Sequence, residues 1–289
     1  MERPRFTFSK LRDYYTLTKP EVNLLILMTT SAGYYLASRG TMSFIGLLHT
    51  LIGTLLVASG TATLNQWMER LWDAQMLRTA RRPLPSGRLT ASEAFVAGIS
   101  LSMGGGLYLA IFTNLLSAFL AISTLLAYLL VYTPLKRKTS WCTMLGAIPG
   151  AMPTLIGWAG ASGSVSAHAW FIFGLLFLWQ FPHFLAIALL YREDYAKAGY
   201  KMLPNFDVDG CFTRAEIAGL SLLLVLIMMY MGLHAGPAYL IISSVAGAFF
   251  LYPVLSLAKT GSSLFARRVV HASVIYLPIV LVVTVVAKR

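Results

Sequence analysis

The 289-residue chain is poor in charged residues and in cysteine. Only 12% of its residues are charged and it has two cysteines, whereas hydrophobic residues make up 57%. Soluble domains carry about twice that charged fraction, so the composition excludes an ordinary soluble protein. Cys142 and Cys211 lie far apart and match neither a disulfide framework nor a zinc-site spacing, and we assign them no role.

Long apolar runs fill most of the chain, and its mean hydropathy is +0.69. A helix needs about 20 apolar residues to cross a bilayer. The runs that meet or approach this length cover residues 24–37, 44–64, 91–112, 115–131, 144–161, 169–190, 217–234, 238–257 and 269–287. They predict an all-α, polytopic membrane protein with nine transmembrane helices in a bundle. We expect one domain over 1–289, preceded by a basic cytoplasmic lead at 1–19.

The distribution of basic residues sets the predicted orientation. With the amino terminus in the cytoplasm, 20 of the 23 Lys and Arg residues fall on the cytoplasmic side, and only Arg39, Lys288 and Arg289 fall outside. All 11 acidic residues also fall inside. The net charge of +12 is therefore a topology signal that also attracts anionic membrane lipids, and it does not indicate a nucleic-acid partner.

An acidic ladder follows the second apolar run. Asn65, Glu69 and Asp73 lie at i, i+4 and i+8, and on a helix each such step drifts only ~40°, so the three share one face. Acids beside hydrocarbon are costly unless they bind something. The next segment, Arg78-Thr79-Ala80-Arg81-Arg82-Pro83-Leu84, supplies fixed cations. Carboxylates that can hold a divalent metal, next to arginines that can hold phosphate oxygens, predict a diphosphate site.

Two further polar clusters accompany the ladder. After the sixth run, a helical face can be shared by Tyr191, by Asp194 or Tyr195, and by Lys197 or Ala198. His183 lies two turns upstream within Trp-Gln-Phe-Pro-His-Phe (179–184). After the fourth run comes Tyr-Thr-Pro-Leu-Lys-Arg-Lys (132–138). We predict that the polar cytoplasmic loops after helices 2 and 6 cap one active site.

These motifs carry a family resemblance over residues 17–204. The Asn-x3-Glu-x3-Asp pattern followed by Arg-Thr-x2-Arg-Pro-Leu-Pro (78–85) resembles the intramembrane prenyltransferases of the UbiA superfamily. Thr-Lys-Pro at 18–20 and the segments 132–137, 179–184 and 194–204 are similar to its protohaem IX farnesyltransferase branch. Most superfamily members carry an Asp-x3-Asp pair where Tyr191 and Tyr195 stand, which leaves Asp194, with Glu193 beside it, as the second-loop acid.

The resemblance implies Mg²⁺-dependent transfer of a farnesyl group from farnesyl diphosphate to a vinyl group of haem b. The product is haem O, made for terminal oxidases at the cytoplasmic side of a bacterial inner membrane. The candidate site residues are Asn65, Glu69, Asp73, His183 and Asp194 for catalysis, Glu69, Asp73 and Asp194 for Mg²⁺, Arg78, Arg82, Lys136, Arg137 and Lys197 for the diphosphate, and His183, Tyr191 and Tyr195 for haem.

Two alternatives stay open at this point. The same fold can prenylate an aromatic quinone precursor, although the missing Asp-x3-Asp pair argues against it. A haem transporter or chaperone would instead need acids near the bilayer midplane rather than at the cytoplasmic rim. His183 has three possible roles, as an iron ligand, as a propionate contact or in proton transfer, besides that of an ordinary core histidine. A haem A synthase or an oxidase assembly factor is a further partner that the resemblance suggests.

Overall fold

The computed structural model describes residues 8–288, and within that range the chain is helical and contains no strand. Residues 1–7 of the predicted basic lead, with Arg3 and Arg5, and Arg289 lie outside the described residues. The helices are α1 Phe8–Leu17, α2 Pro20–Ala37, α3 Phe44–Asp73, α4 Ala91–Phe112, α5 Leu115–Leu135, α6 Cys142–Ser162, α7 Ala167–Leu190, α8 Arg192–Lys197, α9 Cys211–Ala235, α10 Pro237–Thr260 and α11 Ser263–Val286.

Eight of these helices, in the part of the chain that the structure describes, are long and apolar enough to cross a membrane. The prediction of an all-α, multi-pass membrane protein is therefore confirmed. The first predicted span forms the 18-residue helix α2, which is not among the eight. Its first turn contains Glu21 and Asn23, which lower its mean hydropathy. The count of nine spans stays a prediction.

Helix α3 is longer than the apolar pattern predicted. It runs for 30 residues and ends at Asp73 instead of 64, so Asn65, Glu69 and Asp73 lie inside its last turns and do not follow it. Hydropathy marked the end too early because these polar side chains face the protein interior, where neighbouring segments supply hydrogen-bond partners. The acidic ladder is thus built on a rigid element.

Glycines bring two helix pairs into close contact. A Cβ on Gly60 would overlap Ser102 of α4, and one on Gly98 would meet Leu64 of α3. A Cβ on Gly157 of α6 would overlap the carbonyl oxygen of Thr30 in α2. Small residues let backbones approach in this way in membrane bundles, where packing replaces the hydrophobic drive between helices. These contacts hold α3 against α4 and α2 against α6.

The second half of the chain packs around α7 and α11. Helix α7 lies against α6, α9 and α11, and α11 returns to contact α2. Phe250 of α10 stacks on Tyr276 of α11 with ring centroids 4.8 Å apart. Lys288, just after α11, donates to the carbonyl oxygen of Tyr35 at 2.7 Å and so links the end of the bundle to its beginning.

Helix α1 is held by polar contacts to α3, to α4 and to the loop between them. Lys10 pairs with Glu93 at 2.7 Å, and Arg88 pairs with Asp13 at 2.8 Å. The side chain of Gln66 in α3 donates to the carbonyl oxygen of Leu17, the last residue of α1, at 2.8 Å. These contacts position Lys19, which follows directly.

Candidate active site

The three residues of the ladder are buried on one face of α3. Asn65, Glu69 and Asp73 are 1%, 4% and 1% exposed, respectively. Their spacing of four places them one above another along the last turns of the helix. A buried carboxylate must be paired to be tolerated, and both acids have a cation in contact. The predicted common face therefore exists, and it points inward.

Glu69 is paired with a lysine from the end of α5. The Nζ atom of Lys136 lies 2.9 Å from Oε1 of Glu69, and Lys136 also lies 4.4 Å from the ring centroid of Tyr132. Burial disfavours the charged ammonium, but the Glu69 carboxylate and nearby tyrosines raise the pKa of Lys136 well above its ordinary value. Lys136 is therefore a fixed cation in direct contact with the ladder, as its predicted role in diphosphate binding requires.

Asp73 is paired with an arginine from the loop that follows it. The Nη1 atom of Arg82 lies 2.7 Å from Oδ2 of Asp73. Thr79 donates from its hydroxyl to the Asp73 carbonyl oxygen at 2.8 Å and folds the loop back over the helix end. The loop thus brings Arg82 into contact with Asp73, nine residues earlier in the chain. Of the two loop arginines predicted to bind the diphosphate, Arg82 is the one that contacts the ladder.

Asn65 connects the amino-terminal part of the chain to α5. Its Oδ1 accepts from Lys19 Nζ at 3.1 Å, and its Nδ2 donates to the hydroxyl of Thr133 at 3.2 Å. Thr133 lies after a π-helical segment, Ala127–Tyr132, and donates to the Tyr128 carbonyl oxygen at 2.9 Å. Pro134 follows, and because proline has no N–H the regular helical bonding is interrupted here. The widened turn aims Thr133 at Asn65.

Lys19 is a site residue that our candidate set did not include. Its backbone φ is 52°, the only positive φ of a non-glycine residue among the described residues. Such strained conformations cluster at functional sites. Burial, together with Arg82 and Lys136, lowers the pKa of Lys19 to about 7. The Thr-Lys-Pro motif was the sequence signal for this residue, but it carried no information about what Lys19 would contact.

The second predicted loop meets the first through Asp194 and Arg78. The backbone N–H of Arg78 donates to Oδ2 of Asp194 at 3.3 Å. The Arg78 guanidinium lies 5.1 Å from the Tyr191 ring centroid and donates to the Tyr195 hydroxyl at 3.3 Å. The structure therefore brings together the loops after α3 and α7, and it groups Tyr191, Asp194 and Tyr195 at their junction.

Three further residues border the site. Arg137 lies over the ring of Trp72 at 4.4 Å, beside the end of α3. Lys197 is exposed and makes no side-chain hydrogen bond or ion pair with residues 8–288. Tyr200, which sequence reasoning missed, is 4% exposed, and its hydroxyl lies near Glu69 without hydrogen-bond geometry. Burial and the Glu69 carboxylate raise the pKa of Tyr200.

His183 lies in a separate cluster between α7 and α11. Its Nδ1 is 2.7 Å from the hydroxyl of Ser273, and its ring stacks on Trp179 with centroids 5.1 Å apart. It contacts none of the three carboxylates through a hydrogen bond or ion pair in the described part of the chain. The structure thus groups the ladder, the cations and the second loop, and keeps His183 apart from them.

The donor set suits a magnesium ion that binds together with a phosphate ligand. No group of three His, Cys, Asp or Glu side chains within residues 8–288 is close enough to enclose a metal. Mg²⁺ does not need such a cage, because proteins usually hold it through one or two carboxylates, waters and substrate phosphates. Glu69 and Asp73, one helical turn apart and buried, can supply those carboxylates, and Asp194 lies on the neighbouring loop.

Comparisons with known proteins identify the family of this chain. The family model described as "UbiA prenyltransferase family" matches residues 26–275. "Protoheme IX farnesyltransferase" of Solibacter usitatus is 47% identical over 281 residues, covering 93% of this chain and 96% of the relative. The protein of the same name from Koribacter versatilis is 40% identical, covering 95% and 93%.

Solved structures show the same fold at low sequence identity. A UbiA homolog from Archaeoglobus fulgidus bound to DMAPP and Mg²⁺ superimposes with a TM-score of 0.70 at 18% identity, covering 94% of this chain and 98% of the other. A digeranylgeranylglyceryl phosphate synthase superimposes with a TM-score of 0.75 at 20% identity, covering 97% and 99%. Taken with the family match and the two relatives, they show that this chain is an enzyme of the UbiA prenyltransferase family, within its protoheme IX farnesyltransferase branch.

Proposed function

We propose that this prenyltransferase transfers the farnesyl group of farnesyl diphosphate to a vinyl group of haem b, with Mg²⁺, and so produces haem O for terminal oxidases. The observation that carries the proposal is the pairing of two buried carboxylates, Glu69 and Asp73, with cations that come from other segments. The names of relatives that are 40–47% identical support the choice of substrates.

The two ion pairs suggest how the diphosphate binds. Lys136 and Arg82 neutralise Glu69 and Asp73. Glu69 and Asp73 would hold the metal of a metal–diphosphate complex. Lys136 and Arg82 would then be free to contact the diphosphate oxygens. Charge-assisted hydrogen bonds of this kind are the strong ones in proteins. We assign Arg78, Arg137 and Lys197 to the diphosphate as well, and Lys19 adds a further amine through its contact with Asn65.

The chemistry then follows from charge development. When bound, Mg²⁺ neutralises part of the diphosphate charge. The bond between C1 of farnesyl and the diphosphate oxygen breaks, and the diphosphate keeps the electron pair. Lys136 and Arg82 stabilise the negative charge that develops on it. The π electrons of a haem vinyl group form the new bond to C1, and water captures the resulting cation and loses a proton to give a hydroxyethylfarnesyl group.

We assign haem binding to the side of the site formed by Tyr191, Tyr195 and His183. Both tyrosine rings lie against Arg78 at the junction of the loops, and His183 lies deeper along α7. A flat acceptor that reaches from the rim towards His183 would contact both regions. We also propose a cytoplasmic active site in a bacterial inner membrane, where farnesyl diphosphate is available from solution. A haem A synthase or an oxidase assembly factor would receive the product.

The test uses purified protein in lipid nanodiscs with haem b, farnesyl diphosphate and Mg²⁺, and mass spectrometry of the extracted pigment. We expect the farnesylated, hydrated product with the wild type, product formation slower by about 10²–10³-fold with the Asp73→Asn variant, and none with the metal chelated. Bound haem that is never modified would favour a chaperone. Prenylation of 4-hydroxybenzoate in place of haem would favour a quinone-precursor enzyme.

A further inference from the structure

The contact between His183 and Ser273 is unusually well defined. Ser273 is 0% exposed on α11, and its Oγ lies 2.7 Å from Nδ1 of His183 on α7. The Trp179 ring stacks on the imidazole with an interplanar angle of 16°, and Trp179 Nε1 donates to the Ser273 carbonyl oxygen at 2.9 Å. One residue of α11 therefore holds both rings of the stack.

The serine hydroxyl has a second close neighbour. Its Oγ is also 2.7 Å from the carbonyl oxygen of Val270. A hydroxyl has one proton, and a carbonyl can only accept. If the proton pointed to His183, the contact with Val270 would bring two lone pairs together with no proton between them. Both contacts are satisfied only when Ser273 donates to Val270 and accepts from His183.

It follows that His183 carries its proton on Nδ1. In a neutral imidazole the other nitrogen, Nε2, then holds a free lone pair. This nitrogen makes no hydrogen bond with the residues that the structure describes, and the His183 side chain is partly exposed. Nε2 lone pairs of neutral histidines are the usual axial ligands of haem iron, and they are also competent bases.

We propose that Ser273 is a positioning residue that fixes the Nδ1–H tautomer of His183 and so presents Nε2 as the ligand of the haem iron. This inference rests on the proposed function, because it names the haem contact within the same site. Partners of this kind around a metal-bound histidine typically change affinity by about 10–100-fold when they are removed.

The direct test measures the tautomer. Protein containing ¹⁵N-histidine is studied by solid-state NMR in lipid bilayers, and the His183 signals are assigned by their loss in His183→Asn. We expect a protonated Nδ1 and an unprotonated Nε2 in the wild type, and a mixture of tautomers in Ser273→Ala. A protonated Nε2 in the wild type, or an unchanged tautomer in Ser273→Ala, would overturn the proposal.

Haem binding supplies the second readout. Ser273→Ala should weaken ferric haem b binding by about 10-fold and alter the haem absorption spectrum, and Ser273→Thr, which keeps a hydroxyl, should recover both. The matched control is Ser221→Ala, because Ser221 is also 0% exposed in a membrane helix but its hydroxyl has no hydrogen-bond partner within residues 8–288.

Three outcomes keep the two proposals separable. If Ser273→Ala loses no more haem affinity than Ser221→Ala, Ser273 has no positioning role. If Ser273→Ala still weakens haem binding in a His183→Ala background, its effect does not pass through the imidazole, which also overturns the inference. If the tautomer and the haem spectrum behave as expected but no farnesylated product forms, the proposed function fails while Ser273 keeps its role in haem binding.

Discussion

Lys136 Nζ lies 2.9 Å from Oε1 of Glu69, and the two side chains are among the most buried charged groups of the protein. They are 67 residues apart, directly after α5 and on α3, so the pair connects the ends of two helices. A buried pair contributes little net stability compared with an apolar pair, but the loss of one partner leaves an uncompensated charge. This asymmetry makes the pair experimentally useful.

Lys136→Met should therefore destabilise the protein and abolish turnover. We expect a loss of about 3–5 kcal/mol in the free energy of unfolding, because Glu69 stays buried without its counter-charge. The double variant Lys136→Met/Glu69→Gln should recover most of that stability but not the activity. Denaturant unfolding in detergent and product formation give the two readouts. Lys138→Met is the control, since Lys138 is exposed. Equal stability of Lys136→Met and Lys138→Met would show that the ion pair does not form.

Asp73→Asn should reduce turnover while leaving the fold intact. The amide has nearly the same shape as the carboxylate but is a poor Mg²⁺ ligand, so we expect a loss on the order of 10²–10³-fold that is greatest at limiting Mg²⁺. Asp209→Asn makes the same change at an exposed position of the second loop and should be neutral. Near-normal activity of Asp73→Asn at limiting Mg²⁺ would remove Asp73 from the metal site.

His183→Ala should impair the use of haem far more than the binding of farnesyl diphosphate. The reason is its position on α7 next to Ser273, away from the carboxylates and their cations. Separate titrations with the two substrates measure this difference, and His168→Ala, at an exposed site on the same helix, is the control. An equal loss for both substrates would indicate a role in folding. Unchanged turnover would make His183 an ordinary core histidine.

The predicted orientation can be tested by cysteine labelling in intact cells. Cys211 is exposed and is first replaced by Ser, whereas Cys142 is buried and can remain. A cysteine introduced at Arg39 should react with an impermeant maleimide, and one introduced at Arg88 should react only after the cells are opened. Reaction at position 88 in intact cells would reverse the topology and, with it, the cytoplasmic active site.

Gly157→Ala should loosen the contact between α2 and α6. The added Cβ would overlap the carbonyl oxygen of Thr30, and because backbone cannot move aside cheaply we expect a loss of about 1–3 kcal/mol. Gly174→Ala on α7 is the control, since no atom of the described residues lies within 4 Å of its Cβ position. Thermal unfolding of the two variants in the same detergent compares them. Equal melting temperatures of the two variants would mean that α2 and α6 are not in close contact at Gly157.

The sequence alone determined the helical membrane architecture, because apolar runs must be helical to satisfy their backbone groups in lipid. It also identified the acidic ladder, since a spacing of four fixes a common helical face. The motifs then indicated the family, which the relatives confirmed. The roles of individual site residues, the single-domain boundary and the side of the membrane stay predictions.

Only the tertiary structure decided which groups meet. The family-matched segment 132–137 includes Lys136 and not Lys138, but it does not say what either lysine contacts. The packing of the helices shows that Lys136 reaches Glu69, whereas Lys138 faces out. Likewise, the packing of distant helices brings Lys19 to Asn65 and Ser273 to His183. The periodicity of a helix indicates which of its sides is buried. The residues that this side contacts depend on how the helices pack against one another, and the spacing of residues within one helix does not determine that packing.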